Sequence, residues 1–317
     1  MSFATRTNAL VRAGRHLEAS ALVEDAVHRG DPAALLMMAN WRLYGANGPR
    51  DWKHMHALID RAIANGHSPA LALKANLVAN GTGIAEDWHA ATALLAKAAR
   101  RDPAAAAQHK LISTLGDAAA DLPPAESLSA TPEIRLYRRL LPAAVCNWMV
   151  EAATPVIKPS MVVDPVSGRT TANPIRRSGQ THFIGDREDL VIRWINRRIA
   201  AISGTDIAHG EPVNVLRYQP GDEYRAHLDA LPGGSNQRAT TVLIWLKDGF
   251  EGGATRFTEI DLDITGKRGD ALVFTNVDAD GRPDPLTRHA GLPVTKGVKW
   301  LCSRWIRAAP FDAWSES

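Results

Sequence analysis

A repeat runs through the first third of the chain and limits what that third can become. Gly30, Asn40, Gly45, Asp51, Trp52 and Ala62 recur as Gly66, Asn76, Gly81, Asp87, Trp88 and Ala98, each 36 positions on (66 − 30, 88 − 52). "ALVEDAVHRG" at 21–30 aligns with "ALIDRAIANG" at 57–66 at the same offset, and "DPAAAAQHKL" at 102–111 opens a partial further unit. A fixed period of this length in an Ala- and Leu-rich segment with helical patterning means stacked helix pairs. One pair cannot bury its apolar face alone, so each packs on the next. Residues 1–115 are therefore expected to form an all-α helical repeat, an α-solenoid. A partner-binding surface and a plain buttress for the rest of the chain both fit, and both stay open.

Residues 116–132, "GDAAADLPPAESLSATP", are rich in Pro, Ala and Ser and read as a linker. From 133 to 317 the texture changes. Helices are expected over 140–157 and 186–203. Short β-prone runs lie at 213–218, 223–229, 239–246, 254–257, 270–274, 286–290 and 299–306, separated by Gly, Pro and Asp turns. Many short strands packed by a few helices predict a β-sandwich or barrel.

One of those runs holds "YRAHLDA", with His227 and Asp229 two apart. On a strand, residues i and i+2 share a face, so the imidazole and the carboxylate would stand side by side. A second imidazole from elsewhere would complete a two-His-one-carboxylate set. That set leaves adjacent positions open on a non-haem Fe(II). His289, in "LTRHAGLPVTKGVKW", is the candidate, and Lys299 follows ten residues later. A buried lysine there could hold the far carboxylate of a dicarboxylic co-substrate through a charge-assisted bond. The bland alternative is a hydrogen-bonded His–Asp pair, a surface histidine and a solvated lysine. His54, His56, His89, His182 and His209 have no partner at metal spacing and read as surface residues; Trp52 and Trp88 read as repeat core.

Composition excludes several classes. Of 317 residues, 45% are apolar and 22% charged, as in a globular protein. No run approaches the roughly 18 apolar residues of a membrane span. The first residues lack the apolar core of a signal peptide, which predicts a cytoplasmic protein. Cys146 and Cys302, far apart, read as two buried thiols in a reducing compartment. A net charge of +3 demands no nucleic-acid partner.

Several blocks in order carry a family resemblance over roughly 134–310. "EPVNVLRYQPGDEYRAHLD" (211–229) places Tyr, Gly and Tyr ahead of His-x-Asp. "FEGGATRF" (250–257) carries a Gly-Gly-x-Thr-x-Phe hairpin. "GDALVF" (269–274) precedes a block at 280–307 with His-x-Gly-x-Pro-Val and Gly-x-Lys-Trp. Upstream, 159–183 carries Ser-x-Val-Val-Asp and Arg-x-Ser. Together these resemble the catalytic domain of prolyl 4-hydroxylases, within the Fe(II)- and 2-oxoglutarate-dependent dioxygenases. The repeat's spacing and its Ala-Gly-Asp-Trp pattern resemble Sel-one-like repeats, relatives of the tetratricopeptide family.

The resemblance implies a double-stranded β-helix, or jelly-roll, for the second domain. It implies Fe(II) held by His227, Asp229 and His289, and 2-oxoglutarate held by Lys299 with help from Tyr218. Tyr224, Trp305, Arg238, Arg176, Ser178 and Glu211 match positions lining the family's substrate groove; Arg307 matches a groove position where a histidine can occur. The implied reaction consumes O2, decarboxylates 2-oxoglutarate to succinate and CO2, and hydroxylates C4 of a proline in a protein or peptide, with ascorbate as an accessory reductant. Ala226, Asn214, Asp222, Ala254 and Thr258 depart from common family residues without touching the ligand set. They bear on the substrate more than the chemistry. The same iron chemistry on another side chain, a free amino acid or a small metabolite is the competing enzyme reading. A repeat-based interaction protein with an inactive barrel is the competing reading of another class. Nucleic-acid dealkylation fits less well, because a lysine stands at the anchor position and the charge gives no strong electrostatic footprint.

Overall fold

The computed structural model describes residues 3–163, 170–172, 175–233 and 235–314, with backbone alone for 161–163 and 170–172. Asp164, the last residue of the Ser-x-Val-Val-Asp match, lies outside the described residues. The chain divides into two compact units, 1–115 with 185–193, and 116–184 with 194–317.

In the first unit, seven helices follow one another: α1 (Phe3–Arg12), α2 (His16–His28), α3 (Pro32–Tyr44), α4 (Trp52–Ala64), α5 (Ser68–Asn80), α6 (Trp88–Ala98) and α7 (Pro103–Ile112). Helices α2, α4 and α6 start 36 residues apart (52 − 16, 88 − 52), as do α3 and α5 (68 − 32). The repeated residues are the punctuation of this pattern. Asp51 and Asp87 cap α4 and α6 by accepting the backbone N–H of His54 and Ala90, which satisfies orphan donors of the first turn. Gly45 and Gly81 end α3 and α5 at φ 73° and 69°, a left-handed conformation that glycine adopts without strain. Ala34, Ala39, Ala62, Ala70, Ala75 and Ala98 are fully or almost fully buried and let the helices approach closely.

Two expectations for this unit are corrected. Trp52 and Trp88 are half-buried rather than core. His56 is buried, not a surface residue; its Nε2 lies 2.9 Å from the carbonyl oxygen of Thr82. That carbonyl follows the end of α5 and has no helical partner, so the imidazole supplies one. Burial lowers the His56 pKa, with the Lys74 charge adding to it and the Thr82 contact opposing. The unit also holds 185–193 through backbone carbonyls. Asn76 Nδ2 donates to Asp186 O (3.2 Å) and Asn80 Nδ2 to Glu188 O (2.7 Å), while Arg193 pairs with Glu86. No helix among the described residues is long and apolar enough to cross a membrane.

The second unit is built on strands β1 (Ala125–Ala130), β2 (Glu133–Tyr137), β3 (Lys158–Pro159), β4 (Met161–Val163), β5 (Thr170–Ala172), β6 (Gly179–Phe183), β7 (Val213–Tyr218), β8 (Tyr224–His227), β9 (Arg238–Trp245), β10 (Glu251–Gly252), β11 (Thr255–Phe257), β12 (Leu262–Ile264), β13 (Ala271–Thr275), β14 (His289–Gly291), β15 (Val294–Lys296) and β16 (Lys299–Arg307), with helices α8 (Ala143–Ala153) and α9 (Leu190–Ser203). A major sheet runs β1-β2-β13-β9-β16-β7-β6-β3, and a minor sheet runs β12-β11-β14-β8, all antiparallel. Together they make the jelly-roll. Its core lies between them: Ile134, Leu136, Leu216, Leu243, Trp245, Leu272 and Phe274 from the major sheet meet Phe257 and Ile264 from the minor one.

Alternation along the central strands sorts functional from structural residues. On β16, Lys299, Leu301, Ser303 and Trp305 face inward, while Arg304 faces outward and donates to the carbonyls of Asn196 in α9 and of Glu211. Phe274 meets Phe257 edge-on (ring centroids 5.1 Å) and His289 at 4.9 Å. Phe274→Ala is expected to cost about 3–5 kcal/mol, the usual range for emptying a buried aromatic site, read as a lowered midpoint of thermal unfolding of this unit.

Three further expectations are revised. Residues 116–132, read as a linker, carry β1 from 125 to 130; its Ala, Ser and Glu side chains suit an exposed edge strand and gave no apolar alternation. The carbonyls of Ala118, Ala120 and Asp121 accept from Arg198 of α9. The run 286–290 is not one strand: Asp284 caps a 3-10 turn over Pro285–Thr287, and β14 begins at His289. The strand read over 223–229 stops at His227, and Asp229 lies two residues beyond it in a bend.

Candidate active site

His227 ends β8, and His289 opens β14, its antiparallel partner in direct register. Asp229, just past β8, turns back toward both. His227 Nε2 lies 3.4 Å from Asp229 Oδ1, and His289 Nε2 lies 3.7 Å from Asp229 Oδ2. The three ligand atoms fall within 4.8 Å of one another, and all three residues are buried. The three residues could hold one metal ion between them.

The surroundings prepare the donors. His227 Nδ1 lies 2.9 Å from Arg225 O, and His289 Nδ1 lies 3.0 Å from Thr287 O. A neutral ring in that position donates its Nδ1–H to the carbonyl and keeps the Nε2 lone pair for a metal. Burial pushes the His289 pKa down to about 4, against the pull of the Asp229 carboxylate, with the neighbouring His227 adding a smaller push in the same direction. The ring is thus neutral at neutral pH. Burial alone would raise the Asp229 pKa, but the nearby imidazoles and the Thr241 hydroxyl hold it below the usual carboxylate range. Thr241 Oγ1 donates to Asp229 Oδ2 (2.7 Å) and accepts from Asn276 Nδ2 (2.8 Å). Two imidazoles and one ionised carboxylate are the donor set that a borderline divalent cation such as Fe(II) would take. Thr241→Val is expected to weaken metal affinity roughly 10- to 100-fold, the usual cost of losing an outer partner of a ligand, measured by direct metal titration of the folded protein.

The same residues line a cavity of about 420 Å³. Lys299, at the start of β16, lines it and is only 2% exposed. Its Nζ donates to Gly253 O (2.6 Å) and stands 5.6 Å from the centre of the Tyr218 ring. Desolvation pushes the Lys299 pKa down to about 8. No carboxylate among the described residues lies within 4.0 Å of it. Gly252 and Gly253 make this corner: both have positive φ (72° and 63°), and a Cβ on Gly253 would meet Val294 Cγ2 at 3.0 Å and Lys299 Cδ at 3.2 Å. Burial raises the Tyr218 pKa, so its hydroxyl stays a donor. Thr255 joins Lys299 and Tyr218 in the cavity wall, and Leu216, Leu243 and Leu301 line it with apolar surface.

Eight of the twelve residues singled out from the sequence line this cavity: His227, Asp229, His289, Lys299, Tyr218, Tyr224, Arg176 and Trp305. Tyr224 stacks on His227 with ring centroids 3.5 Å apart, and the Arg176 guanidinium lies 5.2 Å from the centre of the Tyr224 ring. Ser178 is buried, shares a hydrogen bond with Ser160 (2.7 Å) and lines a neighbouring depression instead. Glu211, Arg238 and Arg307 form an ion cluster beside Trp305. Arg238 pairs with both Glu211 oxygens (2.6 and 2.8 Å), Arg307 Nε lies 2.6 Å from Glu211 Oε1, and the Arg238 guanidinium sits 3.8 Å over the Trp305 ring. The sequence reading missed Thr241, Thr255, Leu301 and Ser303. Strand parity counted from Lys299 would have found Leu301 and Ser303; no local signal marks Thr241 or Asn276.

Residues 213–307 match the 2OG-Fe(II) oxygenase superfamily. Probable prolyl 4-hydroxylase 10 of Arabidopsis thaliana is 33% identical over 206 residues, covering 57% of this chain and 71% of that protein. Among solved structures, the 2OG complex of the viral collagen prolyl hydroxylase from Paramecium Bursaria Chlorella virus-1 is 28% identical, covering 56% of this chain and 96% of that one, with a TM-score of 0.45. A Sel1 repeat protein from Oxalobacter formigenes is 24% identical, covering 29% of this chain and 38% of that one, with a TM-score of 0.28.

Proposed function

This chain belongs to the prolyl 4-hydroxylase family of 2OG-Fe(II) oxygenases, and we propose that its cavity hydroxylates a proline of a protein or peptide at C4. The observation that carries the reading is the pairing of two features across one cavity. The His227–Asp229–His289 cluster lies in one part of its wall, and Lys299, a buried cation with no carboxylate at hand, lies in another. A desolvated ammonium is costly without an anion, and the far carboxylate of 2-oxoglutarate supplies one.

In this reading His227, Asp229 and His289 hold Fe(II), which supplies the oxidative decarboxylation of 2-oxoglutarate to succinate and CO2 and the hydroxylation by O2. The chain's own residues do the positioning. Lys299 and the Tyr218 hydroxyl donate to the co-substrate's distal carboxylate, with Thr255 beside them. Leu216, Leu243 and Leu301 exclude water there, which strengthens both bonds. Thr241 orients the carboxylate of Asp229. Tyr224, Arg176 and Trp305 form the wall that the peptide meets, and the Glu211–Arg238–Arg307 cluster with Ser178 supports and flanks that wall. Ascorbate is proposed to bind as an accessory reductant. A cytoplasmic setting accords with two buried free thiols, Cys146 and Cys302. The helical repeats are proposed to carry a protein partner on faces other than the one where Asn76 and Asn80 hold 185–193.

Succinate release is the test. With the full chain, 2-oxoglutarate and O2, release should require Fe(II) and rise when a proline-containing peptide is added. Release unaffected by removal of iron would contradict the assignment.

A further inference from the structure

Beside the catalytic cavity lies a second depression of about 700 Å³, whose lining includes Arg176, Arg177, Arg217, Ser160, Ser178 and Asp222. Among the described residues its lining carries three guanidiniums and one carboxylate, Asp222, whose Oδ2 accepts the backbone N–H of Gln219 (2.9 Å). Arg177 donates to Gly221 O (2.7 Å), stands 3.9 Å from Glu223 and is 66% exposed at its side chain.

Arg217 is the least neutralised of the three. It sits on β7, in register with Gly179 of β6 and Trp300 of β16. Its guanidinium carbon lies 5.8 Å from the centre of the Trp300 ring, its Nε is buried without a hydrogen-bond partner, and no carboxylate among the described residues lies within 4.0 Å. Gly179 lies beside it: a Cβ there would press on Ile157 Cγ1 at 3.2 Å and meet Arg217 Nε at an ordinary 3.7 Å.

The two depressions are neighbours that share one lining residue. Arg176 lines both, and its backbone bridges to that of Tyr224 in the catalytic wall. A chain whose proline sits by Tyr224 therefore reaches the arginine-lined pocket with a flanking residue. We propose that this pocket binds an acidic side chain, aspartate or glutamate, of the same peptide that presents the proline; the inference rests on the peptide-substrate reading above. Guanidinium forks match a carboxylate in shape as well as charge, and an amide of the same size forfeits the ionic part.

The test uses the full chain and matched proline peptides carrying Glu or Gln at each position flanking the proline. Binding is read by fluorescence anisotropy and turnover by succinate release. At a restricted set of positions Glu should bind about ten- to a hundredfold more tightly than Gln, the size of a charge-assisted hydrogen bond, and added salt should shrink the gap. Arg217→Gln should bring the Glu-to-Gln ratio toward unity, and Arg177→Gln should reduce it. Equal binding of Glu and Gln peptides at every position would overturn the inference, as would a preference that survives both substitutions. If Glu peptides bind preferentially but no proline is oxidised, the pocket stands and the prolyl reading falls. If prolines are hydroxylated with no acidic preference, the reverse holds.

Discussion

Asp229→Ala is expected to lower 2-oxoglutarate turnover by at least about a hundredfold, because losing even an outer partner of a metal ligand costs roughly 10- to 100-fold. The carboxylate is the one anionic member of the cluster and lies between the two imidazoles, 3.4 Å from His227 Nε2 and 3.7 Å from His289 Nε2. Without it, only the two imidazoles would remain to hold a divalent cation. The rings themselves should stay in place, since each is held through Nδ1 by a backbone carbonyl. Metal titration run beside the turnover assay separates a lost ligand from a lost fold. His227→Ala should behave alike. Retention of turnover within tenfold in either variant would remove the residue from the ligand set.

Lys299→Ala should raise the 2-oxoglutarate requirement about ten- to a hundredfold, as loss of a charge-assisted bond of roughly 1.5–3 kcal/mol. The effect belongs on KM for the co-substrate and not on metal binding. A pH dependence accompanies it. Burial holds the Lys299 pKa down at about 8. The ammonium, which is the binding form, predominates below that value and is lost above it. In the unsubstituted protein the KM for 2-oxoglutarate should therefore be level on the acid side of 8 and climb on the alkaline side. In Lys299→Ala this climb should vanish. An unchanged requirement in the variant would show that the co-substrate is anchored elsewhere.

Much of this was legible in the chain because the signals are local. Asp51, Asp87, Gly45 and Gly81 mark helix ends by caps that act within a turn, so the repeat and its period could be read directly. His227, Asp229, His289 and Lys299 could be named because the residue types in that order imply the chemistry. What escaped depends on which strands lie side by side. Thr241 matters through its bond to Asp229, twelve residues away, and through Asn276, 35 residues away. Those partners exist only once β9, β13 and the β8 end are brought together. Strand β1 escaped because an exposed edge strand of Ala, Ser and Glu buries little and shows no alternation. The run 286–290 misled because Asp284 and Pro285 start a capped turn inside what reads as strand. His56 was misplaced because its partner, the carbonyl of Thr82, lies 26 residues on in another repeat.

If the His227–Asp229–His289 cavity hydroxylates proline at the expense of 2-oxoglutarate, the product is an oxidised peptide. The decisive measurement is mass spectrometry of a proline-peptide library after incubation with the full chain, Fe(II), 2-oxoglutarate and O2. Proline should gain one oxygen atom, matched by one succinate, and this gain should be absent with Asp229→Ala. Succinate release with no oxygen gained on any proline, or oxygen gained on another residue, would contradict the prolyl reading.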